Sequence, residues 1–502
     1  MIPFITTPYS HQVQMVEFGL SVPFPAFFCE MGTGKTKAAI DWVRNLAWQH
    51  NYTKVLVICP RSIMENWRTE VIAHSKAGVC VLTGSRKKRL HLLSLHVDTK
   101  TLLFYIINYE GARILQEELR TFGFEIVICD ESTRIKNGTA KCTKACIAIG
   151  RAAQRRLIMS GTPVTQTLLD CYSQLLFLDN GISFGRSFFA FRNTYFAPAV
   201  LQCPKAHVLN KQYAPMHIKE VPGAGTAIYC PRCGAWYSTS NNLMKIWEWQ
   251  PKPGACETIM QKLRKAALFL TKQECLDLPP KIYERRIVEL SKEEAVSYHQ
   301  MEHEMRALLK DKEVRARIPL TQFLKLSQIC SGFLNDEAGN PIEFSHPAKL
   351  EELGELIQEI PEKAIIWCRF KQNIRAVSRL LDKMNVRHVT YYSETENKIE
   401  AEKDFREDPT CRILIGQPQS GGYGLNFTAA SVVIYYSMGY SLTERLQSED
   451  RVHRIGQTNK VTYVDIVAEN TIDEAILEAV GKKKDILDYV MNNWHRREGT
   501  EP

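Results

Sequence analysis

A glycine-containing segment near the N-terminus has the residue types that bind nucleotide phosphates. The segment EMGTGKT follows an apolar run and precedes a helical pattern. Backbone N–H groups at Gly32 and Gly34 can face phosphate oxygens. Lys35 supplies a positive charge for those oxygens, and Thr36 supplies a hydroxyl for Mg²⁺. A six-residue P-loop would have its first glycine where this sequence has Cys29, so the segment predicts an ATP-binding turn with an incomplete P-loop match.

Two further pairs of charged residues could complete a site for phosphoryl transfer. Asp130 and Glu131 directly follow the apolar run IVIC, and the carboxyl end of such a strand faces the ligand crevice of an open α/β sheet. Asp130 could hold Mg²⁺, and Glu131 could orient or deprotonate the attacking water. Arg451 and Arg454 lie one turn apart if helical, and their guanidinium groups could stabilise charge on a transferring phosphoryl group. Each pair alone is usually a solvated surface feature, but with the GKT segment the pairs predict ATP hydrolysis.

The middle of the chain contains a candidate zinc site. Most of the fifteen cysteines lie in apolar runs and are expected to be buried, but CPRCG forms a CxxC knuckle. Two thiolates at this spacing can hold one edge of a tetrahedral Zn²⁺, and two more ligands are needed. Cys256 and His217 are alternatives, and a redox pair is the competing interpretation. The predicted structural zinc ligands are Cys203, His207, Cys230 and Cys233.

Short apolar runs alternate with amphipathic stretches, which predicts an α/β fold with parallel sheets. The runs form two groups, at about 1–180 and 345–480. Residues 197–260 lack steady periodicity and are interpreted as an insertion, and the paired prolines of LPPK predict a connector between lobes. The predicted strands are 54–59, 101–107, 125–129, 155–159, 363–368, 387–392, 411–415, 431–436 and 460–467.

Composition and charge are consistent with an ordinary globular protein of two domains or more. The chain has 502 residues, 45% of them hydrophobic and 24% charged, and a formal charge of +9 that fits an anionic partner. No apolar run reaches the roughly 18 residues of a membrane span, and the N-terminus lacks signal-peptide features. We therefore expect a cytoplasmic or nucleoid-associated protein with no membrane partner. The basic run Arg86–Arg89 is either a phosphate contact or a solvated surface.

The order of these segments resembles superfamily 2 helicases, and most closely the Swi/Snf-type DNA-translocating ATPases. The resemblance extends over nearly the whole chain, and HRIGQ is its most family-specific string. The matching segments are HQ at 11–12, CPRS at 59–62, DESTRIKN at 130–137, SGTP at 160–163, TK through LPPK at 271–281, IWCRF at 366–370, SGGYGLN at 420–426 and HRIGQ at 453–457.

This resemblance implies two RecA-like parallel-sheet lobes with helical protrusions, to which the CPRCG knuckle adds a zinc-ribbon-like insertion. It implies an ATP-binding lobe at 1–275, which carries the insertion at 197–260. A connector with a helical protrusion follows at 276–345, and the second lobe with its C-terminal helices lies at 346–502.

The resemblance also implies partners and further site residues. Gln12 would recognise the adenine of ATP, and the insertion could contact DNA or a protein partner. DNA contacts would be made to the backbone of double-stranded DNA, without reading its sequence. The implied DNA-binding residues are Pro60, Arg61, Ser62, Ser420 and Gly421.

The predicted function is therefore an ATP-dependent translocase that moves along double-stranded DNA and remodels DNA or protein–DNA complexes. The alternatives are a strand-separating DNA or RNA helicase and a non-catalytic DNA-binding scaffold. The strings HRIGQ and LPPK favour the translocase, and the intact charged residues argue against the scaffold. Two departures from the family pattern stand out. Ser132-Thr133 replaces Ala-His, so the link from the Mg²⁺ site to the SGTP segment is expected to differ, and Tyr440-Ser441-Leu442 replaces Trp-Asn-Pro.

Overall fold

The computed structural model of the chain describes most of the 502 residues. The residues outside the description are 96–100, 165–166, 203–207, 211–217, 222–224, 231–234, 239–244, 276–277, 311–317, 337, 420–426, 455 and 493–502. For the other residues of 199–248, 304–321 and 485–492, the description covers the backbone alone.

Strands and helices alternate along both halves of the described chain. The strands are Ala26–Cys29 (β1), Lys54–Cys59 (β2), Gly78–Val81 (β3), Leu103–Asn108 (β4), Ile126–Asp130 (β5), Arg155–Met159 (β6), Phe196–Gln202 (β7), Val208–Asn210 (β8), Ile218–Val221 (β9), Gly225–Cys230 (β10), Ala235–Ser238 (β11), Lys245–Pro251 (β12), Ala267–Leu270 (β13), Lys281–Val288 (β14), Phe333–Asn335 (β15), Pro341–Glu343 (β16), Ala364–Trp367 (β17), His388–Tyr391 (β18), Ile413–Gly416 (β19), Val432–Tyr435 (β20) and Val461–Ala468 (β21). The helices are Ser10–Ser21 (α1), Lys35–His50 (α2), Met64–His74 (α3), Arg86–Ser94 (α4), Tyr109–Ile114 (α5), Gln116–Thr121 (α6), Lys141–Ala152 (α7), Cys171–Asp179 (α8), Phe188–Tyr195 (α9), Ala255–Arg264 (α10), Lys272–Cys275 (α11), Lys292–Lys310 (α12), Ile318–Ile329 (α13), Ala348–Glu359 (α14), Lys371–Lys383 (α15), Lys398–Glu407 (α16), Leu442–Glu449 (α17) and Ile472–Asn492 (α18). Short 3₁₀ turns cover Arg61–Ile63, Ser132–Ile135 and Leu168–Asp170.

The N-terminal lobe is built on a seven-stranded parallel sheet with strand order β13-β1-β6-β5-β2-β4-β3. Successive side chains of a strand point to opposite faces, so Phe27 and Phe28 enter different cores. Helices α1, α2 and α3 cover the face that contains Phe27, and α5 to α8 cover the face that contains Phe28. This two-sided cover explains why the central strands are continuous apolar runs.

The segment between α9 and α10 contains two small antiparallel sheets, with strand orders β11-β10-β9 and β12-β7-β8. Three of the predicted zinc ligands, Cys203, His207 and Cys233, lie outside the described residues. Cys230 ends β10 and is described by its backbone alone. Among the side chains that the structure describes, no group of three or more His, Cys, Asp or Glu is arranged to hold a metal ion. The zinc-ribbon interpretation therefore stays a prediction.

The C-terminal lobe is built on a second parallel sheet of six strands, with the order β14-β21-β20-β17-β19-β18. Ile365 and Ile366 again point to opposite faces and enter separate cores. Strand β14 lies at the edge of this sheet and pairs with β21 along eight residues. The connector that begins after β13, in the first sheet, therefore ends as a strand of the second sheet. The α/β fold with two parallel-sheet lobes is confirmed.

Two features complete the description. Helices α12 and α13 pack on the second lobe, where Tyr298 and Ile329 join the core. Among the described helices, none combines the length and the apolar composition needed to cross a membrane.

Candidate active site

The predicted phosphate-binding turn lies at the carboxyl end of β1, directly before α2. Gly32 and Gly34 have φ angles of 82° and 75°, a left-handed conformation that glycine adopts without a steric cost. The Lys35 ammonium donates to the carbonyl oxygens of Cys29 at 2.7 Å and Glu30 at 3.0 Å. Its charge is therefore held over the end of the strand, at the N-terminus of α2, where an anion is favoured.

The acidic pair lies at the end of β5, two strands away from β1 in the sheet order. The carboxylate of Asp130 accepts hydrogen bonds from Trp67 Nε1 at 2.8 Å and from the Glu131 N–H at 2.9 Å. Burial raises the pKa of Asp130, while Trp67 and Lys35 oppose that shift. Burial and the neighbouring Asp130 raise the pKa of Glu131 to about 7. The hydrogen bonds to Asp130 thus fix the position of the pair, and burial holds the pKa of both carboxyl groups above their ordinary values.

Glu131 itself has an unusual backbone. Its φ of 54° is left-handed, which costs a non-glycine residue about 1–3 kcal/mol. One of its carboxylate oxygens, Oε2, is buried and has no hydrogen-bond partner among the described residues. A strained residue with an unused buried acceptor is typical of a functional site.

The two predicted arginines follow α17 in the second lobe. Arg451 donates from Nη2 to the carbonyl of Pro418 at 2.8 Å, and its guanidinium lies 5.1 Å from the centre of the Trp367 ring. Burial lowers the pKa of Arg454, and the Asp450 carboxylate opposes that shift. Arginine keeps its charge in proteins even when buried, so both side chains bring positive charge to the gap between the lobes.

One cavity between the lobes joins these groups. The predicted residues on its wall are Gly32, Gly34, Lys35, Thr36, Asp130, Glu131, Arg451 and Arg454. Gln12 is not on this wall. Its amide lies behind the turn, accepts a hydrogen bond from the Tyr9 N–H at 3.0 Å, and has Nε2 3.5 Å from the Gly34 carbonyl oxygen.

Lys272, which sequence reasoning placed only in the connector, lies between the two halves of this cavity. Its backbone N–H donates to the Glu30 carboxylate at 2.6 Å. Its buried ammonium contacts the Asp450 carboxylate and the His453 carbonyl oxygen. Burial lowers the pKa of Lys272, and Asp450 opposes that shift. Lys272 therefore ties the phosphate-binding turn of one lobe to the arginine segment of the other.

A second connector contact lies nearby, around Glu449 at the end of α17. Its carboxylate accepts from Lys281 at 3.0 Å, from Tyr283 at 2.8 Å and from Arg445 at 2.8 Å. Burial opposes ionisation, but Lys281 and Arg445 lower the pKa of Glu449 to about 2. The connector thus contacts the arginine-bearing segment at two places: Lys272 contacts Asp450, and Lys281 contacts Glu449.

The predicted DNA-binding residues are only partly described. Pro60 is buried after β2, whereas Arg61 and Ser62 are exposed on the adjacent 3₁₀ turn. Ser420 and Gly421 lie outside the described residues.

The basic run at 86–89 forms the first turn of α4. The Ser85 hydroxyl accepts from the Lys88 N–H there. Arg86 contacts Glu118, and Arg89 donates to Asn108, so two of the four charges have partners within the protein. Lys87 and Lys88 are exposed, and a phosphate contact by this run stays a prediction.

Two parallel-sheet lobes with a shared cavity of this composition define the ATPase core of helicase superfamily 2. A family model described as the SNF2-related domain matches residues 26–337. A second model, described as the helicase conserved C-terminal domain, matches residues 348–456. The first match covers more than half of the chain, which therefore belongs to the SNF2-related family.

Several relatives match most of this chain in sequence. The chain is 25% identical to the uncharacterized ATP-dependent helicase MG018 of Mycoplasma genitalium, over 91% of this chain and 39% of that protein. It is 22% identical to the ATP-dependent helicase fft2 of Schizosaccharomyces pombe, over 90% of this chain and 38% of that protein. The putative protein p41 of Acyrthosiphon pisum secondary endosymbiont phage 1 is 24% identical, over 99% of this chain and all of the relative. The chain thus spans about two fifths of the two helicases.

Among solved structures, the chain is similar to the Sulfolobus solfataricus SWI2/SNF2 ATPase core in complex with dsDNA. The sequence identity is 20%, the match covers 98% of this chain and 94% of that chain, and the TM-score is 0.41.

Proposed function

We propose that this chain is an ATP-dependent motor that moves along double-stranded DNA and remodels DNA or protein–DNA complexes. One observation carries the proposal: Lys35, Asp130 and Glu131 from one lobe share a cavity with Arg451 and Arg454 from the other. A hydrolytic site divided between two lobes is completed only when the lobes approach, so that hydrolysis is coupled to their movement.

The residues at the base of the cavity fit the phosphates of ATP with Mg²⁺. The Thr36 hydroxyl and the Asp130 carboxylate are oxygen ligands of the kind that Mg²⁺ prefers, and Lys35 lies beside them. When bound, Mg²⁺ would neutralise part of the phosphate charge. We assign the backbone N–H groups around Gly32 and Gly34 to the same phosphates.

We assign adenine recognition to Gln12. Its amide accepts a hydrogen bond from the Tyr9 N–H and lies against Gly34. At least one of these contacts must break before the amide can hydrogen-bond to the adenine base. Because the same contact touches the phosphate-binding turn, base binding and turn geometry would be linked.

For hydrolysis, we assign the general base to Glu131. Its unpartnered Oε2 would accept a proton from the attacking water, for which a raised pKa is suited. Arg451 and Arg454 would stabilise the charge on the phosphoryl oxygens during transfer. Lys272, bonded to Asp450, would hold the arginine segment close to the turn.

A second groove between the lobes supports a DNA partner. It is lined by Lys136 from the first lobe and by Arg369, Tyr440 and Lys483 from the second. Burial lowers the pKa of Lys483, and Lys136 lowers it further, so an anion between these cations would relieve their repulsion. We propose that DNA phosphates lie in this groove, and we assign further backbone contacts to the exposed Arg61 and Ser62. Such contacts bind the backbone without reading the bases.

The proposed function predicts that double-stranded DNA increases ATP turnover. The test compares the ATPase rate of the whole chain with no polymer, single-stranded DNA, double-stranded DNA and RNA. We expect the largest increase with double-stranded DNA, together with ATP-dependent displacement of a third strand from a DNA triplex. Lys35→Ala is the control that should lose both activities. Stimulation by RNA alone would favour the helicase alternative, and no turnover under any condition would favour the scaffold.

We further propose that the insertion holds one structural Zn²⁺ through Cys203, His207, Cys230 and Cys233. Cys230 is paired with Ala235 across the antiparallel strands β10 and β11, so the CxxC sequence connects two neighbouring strands. A closed set of four ligands would have no position for a catalytic water. It would instead brace the insertion for contact with DNA or a protein partner.

The zinc proposal predicts that the purified chain contains about one Zn²⁺ and that Cys230→Ser lowers this content. Elemental analysis measures the metal, and thermal unfolding with and without a chelator measures its contribution to stability. Cys142→Ser, a half-buried cysteine in α7, is the matched control. A chain free of zinc that is equally stable with the chelator would contradict the proposal.

A further inference from the structure

Gln174 contacts Ser132, one of the residues at which the sequence departs from the family pattern. At Ser132 and Thr133 the resemblance predicts a different link from the acidic pair to the SGTP segment. In the structure, the Ser132 hydroxyl donates to Gln174 Oε1 at 2.6 Å. The other end of the same amide donates from Nε2 to the Pro163 carbonyl at 2.8 Å. One buried glutamine therefore joins the two segments.

The orientation of this glutamine is fixed by its partners. Gln174 Nε2 also donates to the Asp170 carbonyl at 2.9 Å, so both of its N–H donors and its oxygen are used. A flipped amide would set its oxygen against two carbonyl oxygens. Ser132 and Gln174 are both fully buried, so no solvent competes for these bonds. Buried hydrogen bonds of this kind hold a loop in one geometry.

The link extends from the acidic pair to the phosphate-binding turn. Ser132 directly follows Glu131, whose left-handed backbone must be held by its surroundings. At the other end, Gly161 of the SGTP segment lies against Met31 of the turn. A Cβ atom added at Gly161 would be 2.8 Å from the Met31 side chain and 3.1 Å from its backbone nitrogen. The segment that Gln174 contacts is therefore packed directly on the turn.

We propose that Gln174 is a positioning residue that sets Glu131 relative to the phosphates through Ser132, Pro163 and Gly161. This inference rests on the proposed ATPase function and on the role of Glu131 in it. The glutamine is not on the wall of the cavity between the lobes. It fixes the distance between the loop that activates water and the turn that holds the phosphates. Because ATP binding and water activation are separate steps, a defect in this link lowers kcat and leaves KM nearly unchanged.

The test uses Gln174→Met and Ser132→Ala in the whole chain, with steady-state ATPase kinetics and thermal unfolding. We expect each variant to lower kcat by about 10- to 100-fold with KM for ATP within about twofold of the wild type, the size of effect that a small misplacement of reacting groups produces. The double variant should be no slower than Gln174→Met alone, because the two residues act through one link. Ser132→Ala is the milder change and keeps the test valid where Gln174→Met unfolds.

Two controls separate positioning from simple loss of structure. Ser173→Ala removes a hydroxyl that is equally buried on the same helix, and its kcat should stay at the wild-type value. Glu131→Gln tests the role assigned to Glu131, since full activity in that variant would remove Glu131 from the mechanism whatever Gln174 does, and Lys35→Ala tests the ATPase function itself. Folded Gln174→Met and Ser132→Ala proteins with wild-type kcat, or effects that simply add in the double variant, would overturn the link.

Discussion

Glu131→Gln is expected to reduce ATP turnover by about 10²- to 10⁴-fold while ATP still binds. The amide has the shape of the carboxylate but cannot accept the proton of the attacking water. Lys35 and Thr36 are unchanged, so nucleotide affinity should be kept or should increase as the negative charge beside Asp130 is removed. The measurements are single-turnover hydrolysis and titration with a fluorescent ATP analogue.

The same variant should not be less stable than the wild type. Burial and Asp130 raise the pKa of Glu131 above its ordinary value, so the ionised carboxylate destabilises the folded, nucleotide-free protein as pH rises through 7. An uncharged amide removes that cost. A substitution that abolishes activity and stabilises the folded protein fits a trade-off between activity and stability.

The control for this prediction is Glu65→Gln on the exposed side of α3, where the carboxylate is paired with Arg68. Its turnover should equal that of the wild type. Equal turnover by Glu131→Gln and the wild type would remove Glu131 from the mechanism, and loss of ATP binding would show that the residue holds nucleotide instead.

The central strands could be predicted from the sequence because burial on both faces leaves a continuous apolar run. The predicted strand 155–159 coincides with β6. The predicted strands 101–107 and 411–415 begin and end within two residues of the bounds of β4 and β19. The edge strand β14 was not predicted, because its middle residues Glu284, Arg285 and Arg286 face solvent or lie near it and interrupt the apolar pattern. Strand β13 was missed for a different reason, since its apolar residues continue the pattern of the preceding helix α10.

The site residues also divide into those that could be predicted from the sequence and those that could not. Lys35, Asp130 and Glu131 could be predicted because each lies in a contiguous motif at a strand end. Gln174 and Lys272 could not, because their partners are distant in sequence. Gln174 is 42 residues from Ser132, and Lys272 is 178 residues from Asp450. A polar residue inside an apolar helix, such as Gln174 in α8, is the sequence signal that indicates a buried long-range hydrogen bond of this kind.

Arg454→Ala is the second change with a large expected effect. An arginine that contacts a transferring phosphoryl group increases the turnover rate by about 10³- to 10⁵-fold. We therefore expect the rate of ATP hydrolysis in Arg454→Ala to be at least 10³-fold lower than in the wild type. Arg454→Lys should recover little of this rate, because an ammonium cannot present two parallel N–H donors to phosphate oxygens. Arg387→Ala, an exposed arginine of the same lobe paired with Asp408, should keep wild-type turnover.

The decisive measurement for Arg454 separates charge stabilisation from assembly of the lobes. In Arg454→Ala the contacts of Lys272 with Asp450 and His453 remain, so the lobes should still close on ATP. Distance measurement between labels on the two lobes reports that closure directly. Loss of hydrolysis with closure retained assigns the guanidinium to the reacting phosphate. Loss of both would make Arg454 a contact that assembles the cleft, and hydrolysis within about tenfold of the wild type would exclude it as an arginine finger.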